Sequence, residues 1–367
     1  MAETPGHLRT AQPSRPEVRL DEKVAFLRDP RSYAEGTRAV EARETHMSWV
    51  FLTDERVYKL KKPVRFPYLD FSTLGRRAAA CRAEHRLNLR LAPDVYLAVV
   101  PLAASHAGLA IDGDGEVVDW LVVMRRLDAG ACLEAVLLAG QLQPVHAERI
   151  AATLKRFYRH ASHVPVTPER CLADWRTATR LNRHILCNPR FGLHTGLIDR
   201  IAAVQRRFLR ERAGLLAARV LAGRIVDAHG DLRPEHIWLT RPVTIIDCLE
   251  FDPHLRALDP LDEVAFLHLE CERLGARWAG ERIRRRLAPM LGEDRAPGLF
   301  QFYRSQRAML RARLSIAHLL DARPRTPEKW PRQARAYLKL AAGDAGHLER
   351  LHNATVRVRA RPVSALA

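Results

Sequence analysis

The stretch His229-Gly230-Asp231-Leu232-Arg233-Pro234-Glu235-His236, with Ile245-Ile246-Asp247 following it, decides how this chain is read. Arg224 to Ala228 is a short extended run, His229-Gly230-Asp231 leaves it as a loop, and His236 to Leu239 reads as a second strand. Arg241-Pro242 breaks the chain before a third run, Val243 to Ile246, which delivers Asp247 at its end. The pattern predicts a β-hairpin carrying a carboxylate at each end. Alone, His-Gly-Asp is an ordinary turn and Asp247 an ordinary strand-terminating acid. Together they offer two acids with separable tasks. One can orient and deprotonate an accepting hydroxyl, and the other can hold the magnesium that bridges a nucleotide's phosphates. Asp231 is the candidate for the first task and Asp247 for the second.

These residues resemble the catalytic loop of the aminoglycoside phosphotransferase-like kinases, relatives of the protein kinases, in which H-G-D-x-x-x-x-N is followed by a strand and an I-D pair. The resemblance implies an α/β (α+β) protein-kinase-like fold of two lobes, a small strand-rich N-lobe and a larger, mostly helical C-lobe. It also implies ATP and Mg2+ as cofactors and transfer of the γ-phosphate to a hydroxyl group of a small molecule. Asp231 falls at the position of the catalytic base and Asp247 at that of the metal ligand. One position departs from the pattern: His236 stands where the family carries a metal-binding Asn. Imidazole ligates metals, but magnesium prefers oxygen. The alternative is a nucleotide-binding pseudokinase or regulatory module without transfer activity, with His236 as its mark. Downstream, Cys248-Leu249-Glu250-Phe251-Asp252 and Leu258-Asp259-Pro260-Leu261-Asp262-Glu263-Val264-Ala265-Phe266-Leu267 continue the resemblance. Asp259 and Asp262 there suit a helix start, where acids satisfy free amides and the dipole.

The chain's choice of cation is a second signal. Only seven of its 60 Lys and Arg residues are lysine, yet Lys59, Lys61 and Lys62 fall within four positions. Lysine is a compact point charge on a flexible stem and a common phosphate ligand. Val57-Tyr58-Lys59-Leu60-Lys61 alternates with period two, so Lys59 and Lys61 share one strand face with Val57. A solvated basic strand edge would look the same. The bacterial branch of the resembling family has Y-K-[LI]-K-[KR]-P-V and L-D-F-S-T-L segments, matched by Tyr58-Lys59-Leu60-Lys61-Lys62-Pro63-Val64 and Leu69-Asp70-Phe71-Ser72-Thr73-Leu74. In that family the strand lysine holds nucleotide phosphates and pairs with a glutamate of the next helix. Lys59 is the first candidate, Lys61 the second, and Glu84, in a helix expected from about Ser72 to Leu91, the partner.

Phosphate-cradling loops are usually rich in glycine, because backbone amides must approach the phosphates closely. No glycine occurs between Thr37 and Gly75. Thr45, His46 and Ser48, ahead of the apolar run to Leu52, could offer side-chain donors instead, with Ser48 kept as a cofactor-binding candidate. A polar turn into an apolar strand reads equally from those residues. No G-x-x-x-x-G-K-[ST] sequence appears, which excludes a P-loop ATPase of recognisable type. Some larger members of the resembling family add such a domain after the kinase, and this chain is expected to lack it.

At 367 residues and 47% hydrophobic, the chain exceeds one core's usual size, and two lobes are expected. Residues 1–18 read as a disordered tail, 19–124 as the N-lobe, 125–351 as the C-lobe and 352–367 as a loose tail. Up to about Val123 the pattern gives strands and one helix. Helices follow at Gln143 to Arg159, Cys171 to Leu186, Gly196 to Leu221, Leu261 to Leu274, Trp278 to Leu291, Pro297 to Leu320 and Pro331 to Leu351. Arg125 to Asp128 would form the hinge where an adenine ring binds in the resembling family. Six cysteines without metal-ligand spacing, no signal peptide and no apolar run of membrane-spanning length predict a cytoplasmic protein.

The formal net charge is +18, and arginine is concentrated after Glu272. Solvated helix faces account for such charge. The alternative is a patch of Arg282, Arg284, Arg285, Arg286, Arg304, Arg307, Arg311 and Arg313 for an acidic partner, nucleic acid included, though scattered aromatics argue against base stacking. An aminoglycoside is a polycation and would need an acidic site, so the expected acceptor is a neutral or anionic small molecule with a hydroxyl group. The oligomeric state is not legible.

Overall fold

The computed structural model describes residues 18–33, 36–66, 69–320 and 326–359. The expected tail at residues 1–18 lies outside these except for its last residue. The chain divides into two compact units: Met1–His85 with Asp94–Arg126, and Arg86–Pro93 with Leu127–Ala367.

The first unit is built on alternating strands. Helix α1 (Leu20–Arg28) precedes β1 (Glu41–Glu44), β2 (Ser48–Leu52), β3 (Arg56–Lys61) and a small hairpin, β4 (Arg65–Phe66) and β5 (Leu69–Asp70). Then come α2 (Leu74–Asn88), β6 (Tyr96–Ser105), β7 (Gly108–Ile111) and β8 (Glu116–Arg125). The main sheet is six-stranded and antiparallel, in the order β1-β2-β3-β8-β6-β7. One face sends Phe51, Tyr58, Leu60, Leu121 and Val123 into a core with Val24 and Leu27 of α1. The opposite face of β3 carries Val57, Lys59 and Lys61, as period two requires. A buried ion trio ties three elements together: Asp119 of β8 takes Lys23 of α1 at 2.8 Å and Arg77 of α2 at 2.8 Å. Sequence periodicity missed α1, so the described residues of this region hold two α-helices rather than the expected one. With only nine residues, α1 owes its place to that packing more than to its own periodicity.

The second unit is mostly helical. It contains α3 (Leu133–Leu138), α4 (Pro144–His160), α5 (Pro168–Leu186), α6 (Thr195–Glu211) and α7 (Ala213–Leu221), then the short strands β9 (Val226–Asp227), β10 (Ile237–Trp238), β11 (Thr244–Ile245) and β12 (Ala257–Leu258). Helices α8 (Pro260–Arg273), α9 (Arg277–Leu291), α10 (Leu299–Ala317) and α11 (Lys329–Arg359) complete it. The single helix expected over Gly196 to Leu221 is two, broken at Arg212, whose backbone leaves the helical region (φ −118°, ψ 21°). The tail expected over residues 352–367 is corrected as well: α11 runs on to Arg359, with Leu348 and Ala345 buried against the core. Beyond that, the expected tail lies outside the described residues.

Helix α8 is the axis of this unit, buried from Pro260 to Cys271. Three of the acids at and along it are paired with arginines from other helices: Asp259 with Arg219 at 2.6 Å, Asp262 with Arg307 at 2.6 Å and Glu270 with Arg311 at 3.3 Å. Removing one partner of such a pair leaves the other charge buried and uncompensated. Helix α9 crosses α8 closely enough that a Cβ on Gly280 would stand 2.8 Å from the His268 Cα. None of the described helices is long and apolar enough to cross a membrane.

Candidate active site

The sequence-selected residues fall into two groups, one in each unit. In the first unit, Glu84 of α2 is fully buried and holds both lysines of β3. Its Oε1 meets Lys59 Nζ at 2.8 Å and its Oε2 meets Lys61 Nζ at 2.6 Å. The expected pairing named Lys59 first; the structure gives one carboxylate to two ammonium groups. They differ in exposure, Lys59 keeping 16% of its side chain in solvent and Lys61 1%. Lys61 also lies 5.0 Å over the ring of Phe71. Lys62 is held elsewhere, by Glu44 at 2.8 Å.

Ser48 is buried and pairs with Lys61 in the β2–β3 register. The glycine-free turn before it is closed by Thr45, whose Oγ1 accepts the Ser48 N–H and donates to the Ser48 carbonyl, both at 2.9 Å. This side chain thus satisfies backbone groups that the turn leaves open. His46 is exposed.

In the second unit, the His229–Asp231 loop leaves β9, and β10 pairs antiparallel with β11 to deliver Asp247. The predicted hairpin therefore forms, although β9 pairs with β12 rather than joining it. Gly230 sits at φ +91°, where a Cβ would press on Leu249 at 3.0 Å and Arg256 at 3.2 Å, so glycine is required. Asp247 itself is left-handed, at φ +62°, a conformation that Asp tolerates better than most residues. Its side chain is 45% exposed.

His229 is fully buried and locks the loop. Its Nε2 donates to the Ile246 carbonyl at 2.9 Å, because a carbonyl can only accept, which leaves Nδ1 to accept the Asp231 N–H at 3.3 Å. One imidazole thus links the backbone of Asp231 to the residue before Asp247. Burial pushes its pKa down to about 4, and the neighbouring His236 adds to the effect.

Two residues that sequence reasoning did not select complete the loop. Glu263 of α8 accepts the N–H groups of His229 at 3.0 Å and Gly230 at 2.6 Å, and the hydroxyl of Tyr158 at 2.8 Å. Burial raises its pKa, and these three donors push it back. Its position among the acids of the α8 start was legible, but that cluster read as capping. Asp259 does cap α8, accepting the Leu261 N–H at 2.9 Å. The second addition is Arg233, whose Nη2 meets Asp231 Oδ2 at 2.7 Å and which also pairs with Glu235. Burial alone would raise the Asp231 pKa, but Arg233, His236 and Arg311 outweigh it and hold the carboxyl below its ordinary range. Asp231 is therefore ionised at neutral pH.

His236 faces both acids. Its Nδ1 donates to the Asp231 carbonyl at 2.8 Å, and its Nε2 accepts from Arg233 Nη2 at 3.3 Å while lying 3.6 Å from Asp247 Oδ2. Among the described residues no group of three His, Cys, Asp or Glu side chains is arranged to hold a metal. A magnesium ion needs less from a protein when phosphate oxygens and water supply the remaining ligands. The exposed Asp247 carboxylate fits that requirement.

The arginines proposed as one basic patch do not form one. Arg304 and Arg307 are interior, bound to Asp344 and Asp262. Arg282 and Arg286 share Glu148, Arg284 and Arg285 share Glu281, Arg311 pairs with Glu270, and Arg313 donates to Asn182.

No family model matches the chain. Uncharacterized proteins of Mycobacterium tuberculosis and Mycobacterium bovis are 31% identical to it over 296 residues, covering 78% of this chain and 56% of each relative. The chain thus spans about half the length of the curated relatives it matches. Among solved structures, a choline kinase from Cryptosporidium parvum aligns over 91% of this chain and 96% of its own, with a TM-score of 0.52 and 12% identity. An aminoglycoside phosphotransferase in a ternary complex with AMP-PNP and hygromycin B aligns over 88% and 99%, with a TM-score of 0.48 and 12% identity. At such identity the likeness to the choline kinase is one of fold. The chain shares the two-lobed, protein-kinase-like fold of that choline kinase, with an antiparallel N-terminal sheet and a mostly helical C-terminal region.

Proposed function

We propose that this chain is an ATP-dependent phosphotransferase that moves the γ-phosphoryl group to a hydroxyl of a small molecule. The observation that carries the reading is the His229 bridge, which fixes the backbone of an ionised Asp231 against the residue before an exposed Asp247. Asp231 would orient the acceptor hydroxyl and take its proton as the oxygen attacks the phosphorus. A carboxylate held ionised by Arg233 suits orientation better than strong base catalysis, in keeping with a transition state that asks mainly for positioning. Lys59 is the first candidate to meet the nucleotide's phosphates, with Lys61 second, both held by Glu84, and Ser48 stands beside Lys61 on the sheet. Asp247 would hold magnesium, which supplies charge neutralisation between the phosphates. His236 joins it only where Arg233 releases the imidazole nitrogen.

The test is ATP turnover and ATP-dependent thermal stabilisation, with magnesium and with manganese, in wild type, Asp231→Asn and Asp247→Asn. Turnover that vanishes in Asp231→Asn with stabilisation intact, together with loss of metal-dependent stabilisation in Asp247→Asn, is the expected result. Stabilisation without turnover on any hydroxylated acceptor would favour the nucleotide-binding, non-transferring alternative. No stabilisation by any nucleotide would overturn both.

A further inference from the structure

A cavity of about 1130 Å³ opens within the second unit between the first turns of α9, one face of α11 and the C-terminal half of α8. It has room for a small organic ligand, and no residue of the His229–Asp247 loop lines it.

The acids of its lining are already committed. Arg304 holds Glu272 at 2.7 Å and Asp344 at 3.1 Å, and Glu281 is shared by Arg284 at 2.7 Å and Arg285 at 2.6 Å. Three cations of the lining are in the opposite state. Lys339 and Arg350 of α11 are exposed and meet no acid among the described residues. The Arg277 side chain is 76% exposed and lies 3.9 Å from Glu272, a carboxylate that Arg304 already holds. Burial lowers the His347 pKa and Arg350 lowers it further, so the charge of Arg350 reaches into the cavity. Arg277 and Trp278 open α9, and Ala276 before them brings no capping side chain, so the positive end of that helix adds to the field.

The space among these cations is kept open. Gly343 lies inside α11, one turn beyond Lys339, and a Cβ there would meet nothing within 4 Å. Alanine is the better helix former, so packing within the chain does not account for a glycine at this position. Clearance for a ligand does. Half-buried Leu340 and the 43% exposed Trp278 give the same cavity apolar surface. Lys339 and Arg350 stand eleven residues apart, about 16 Å along a helix, so a ligand charged at both ends satisfies them better than one compact anion. A phosphate carries a charge of about −1.5 to −2 at neutral pH, against one for a carboxylate. Two phosphates therefore match three uncompensated cations and a helix end.

We propose that this cavity is a binding site for a small organic molecule carrying two phosphate groups, one held by Lys339 and the other by Arg350. Arg277 supplies a third cation from α9, and the body of the ligand lies over Gly343 and Leu340. The site stands independently of the phosphotransfer reading.

The probe is fructose 1,6-bisphosphate, with fructose 6-phosphate and citrate beside it, followed by calorimetry on the full chain. EDTA is present throughout, so that no metal-held phosphate at Asp247 contributes. The bisphosphate should bind with a submillimolar Kd, and the monophosphate and citrate about tenfold or more weakly. Lys339→Met and Arg350→Met should each weaken it about fivefold or more, as should Gly343→Leu, which fills the opening without touching a charge. Lys59→Met should leave it unchanged. All are checked for a wild-type-like melting curve, and if one of the cavity variants fails to fold the other two carry the comparison. No binding of the bisphosphate, equal binding of the monophosphate or of citrate, or full affinity in the folded cavity variants would overturn the proposal. So would a loss in Lys59→Met, which would place the anion at β3.

Discussion

The carboxylate of Glu263 lies 2.6 Å from the backbone N of Gly230, so a helix buried in the second unit fixes the left-handed residue preceding Asp231. An amide in its place could still accept the two N–H groups through its oxygen, but it would have to donate to the Tyr158 oxygen and would give up the negative charge that strengthens all three bonds. Glu263→Gln should therefore cost about 2–4 kcal/mol of unfolding free energy. Turnover, where present, should fall with it as Asp231 loses its fixed backbone. Urea denaturation checks the first claim, and a midpoint unchanged from wild type would show that the loop is held by other means.

Lys59 and Lys61 should part company on mutation because Glu84 serves both. Lys61→Met removes a buried charge yet leaves Lys59 on the carboxylate, whereas Glu84→Gln leaves two ammonium groups facing a neutral amide. Glu84→Gln should be the more destabilising, by about 3–5 kcal/mol relative to wild type. Lys59→Met, at the more exposed lysine, should leave the melting temperature nearly unchanged and reduce stabilisation by ATP. Thermal melts of the three variants with and without nucleotide decide it. Retained ATP stabilisation in Lys59→Met would pass the phosphate role to Lys61.

His229 gives the fold a dependence on acid. The free imidazole titrates near 6.5, and in the fold burial pushes it down to about 4. Above 6.5 neither state binds the proton and the full stability is present. As pH falls from 6.5 toward 4 the unfolded chain takes up a proton that the native loop refuses, and about 3 kcal/mol is lost across that window. His268, pushed down to about 3 by burial, acts in the same direction. Unfolding free energies of wild type and His229→Gln between pH 7 and 4 should converge as the pH drops. Parallel curves would show that His229 is not neutral in the native loop.

His236 occupies the place of the asparagine found in the resembling family, and its two ring nitrogens are both engaged by the loop. Asparagine is too short to reach the Asp231 carbonyl and Arg233 together. His236→Asn should therefore lower turnover, by about tenfold, rather than restore it. A rise in ATP turnover with magnesium would mark His236 as a defect instead of an adaptation.

The loop, the lysine strand and the Glu84 helix were legible because each is short-range: a turn signal, a period of two, a capped apolar run. Glu263 and Arg233 were not. Glu263 acts across a fold distance that no spacing reveals, and in sequence it is one acid among several at a helix start. Arg304 and Arg307 read as surface because arginine usually is, yet α8 is wrapped on every side and its acids need interior cations. The break at Arg212 was hidden because apolar residues continue in helical phase through it. Helix α1 was missed for the converse reason, being too short for its pattern to stand out from the loop around it.

The left-handed backbone at Asp247 constrains what descent can do with this protein. A single base change turns either aspartate codon into one for asparagine or glycine, and these are the residues that accept such a backbone without strain. The exposed acid can thus be erased in one mutational step while the loop keeps its shape. On the phosphotransfer reading, the step from an active transferase to a ligand-holding descendant is one nucleotide long at this position. Lineages carrying Asn or Gly here should then have lost turnover while keeping the fold.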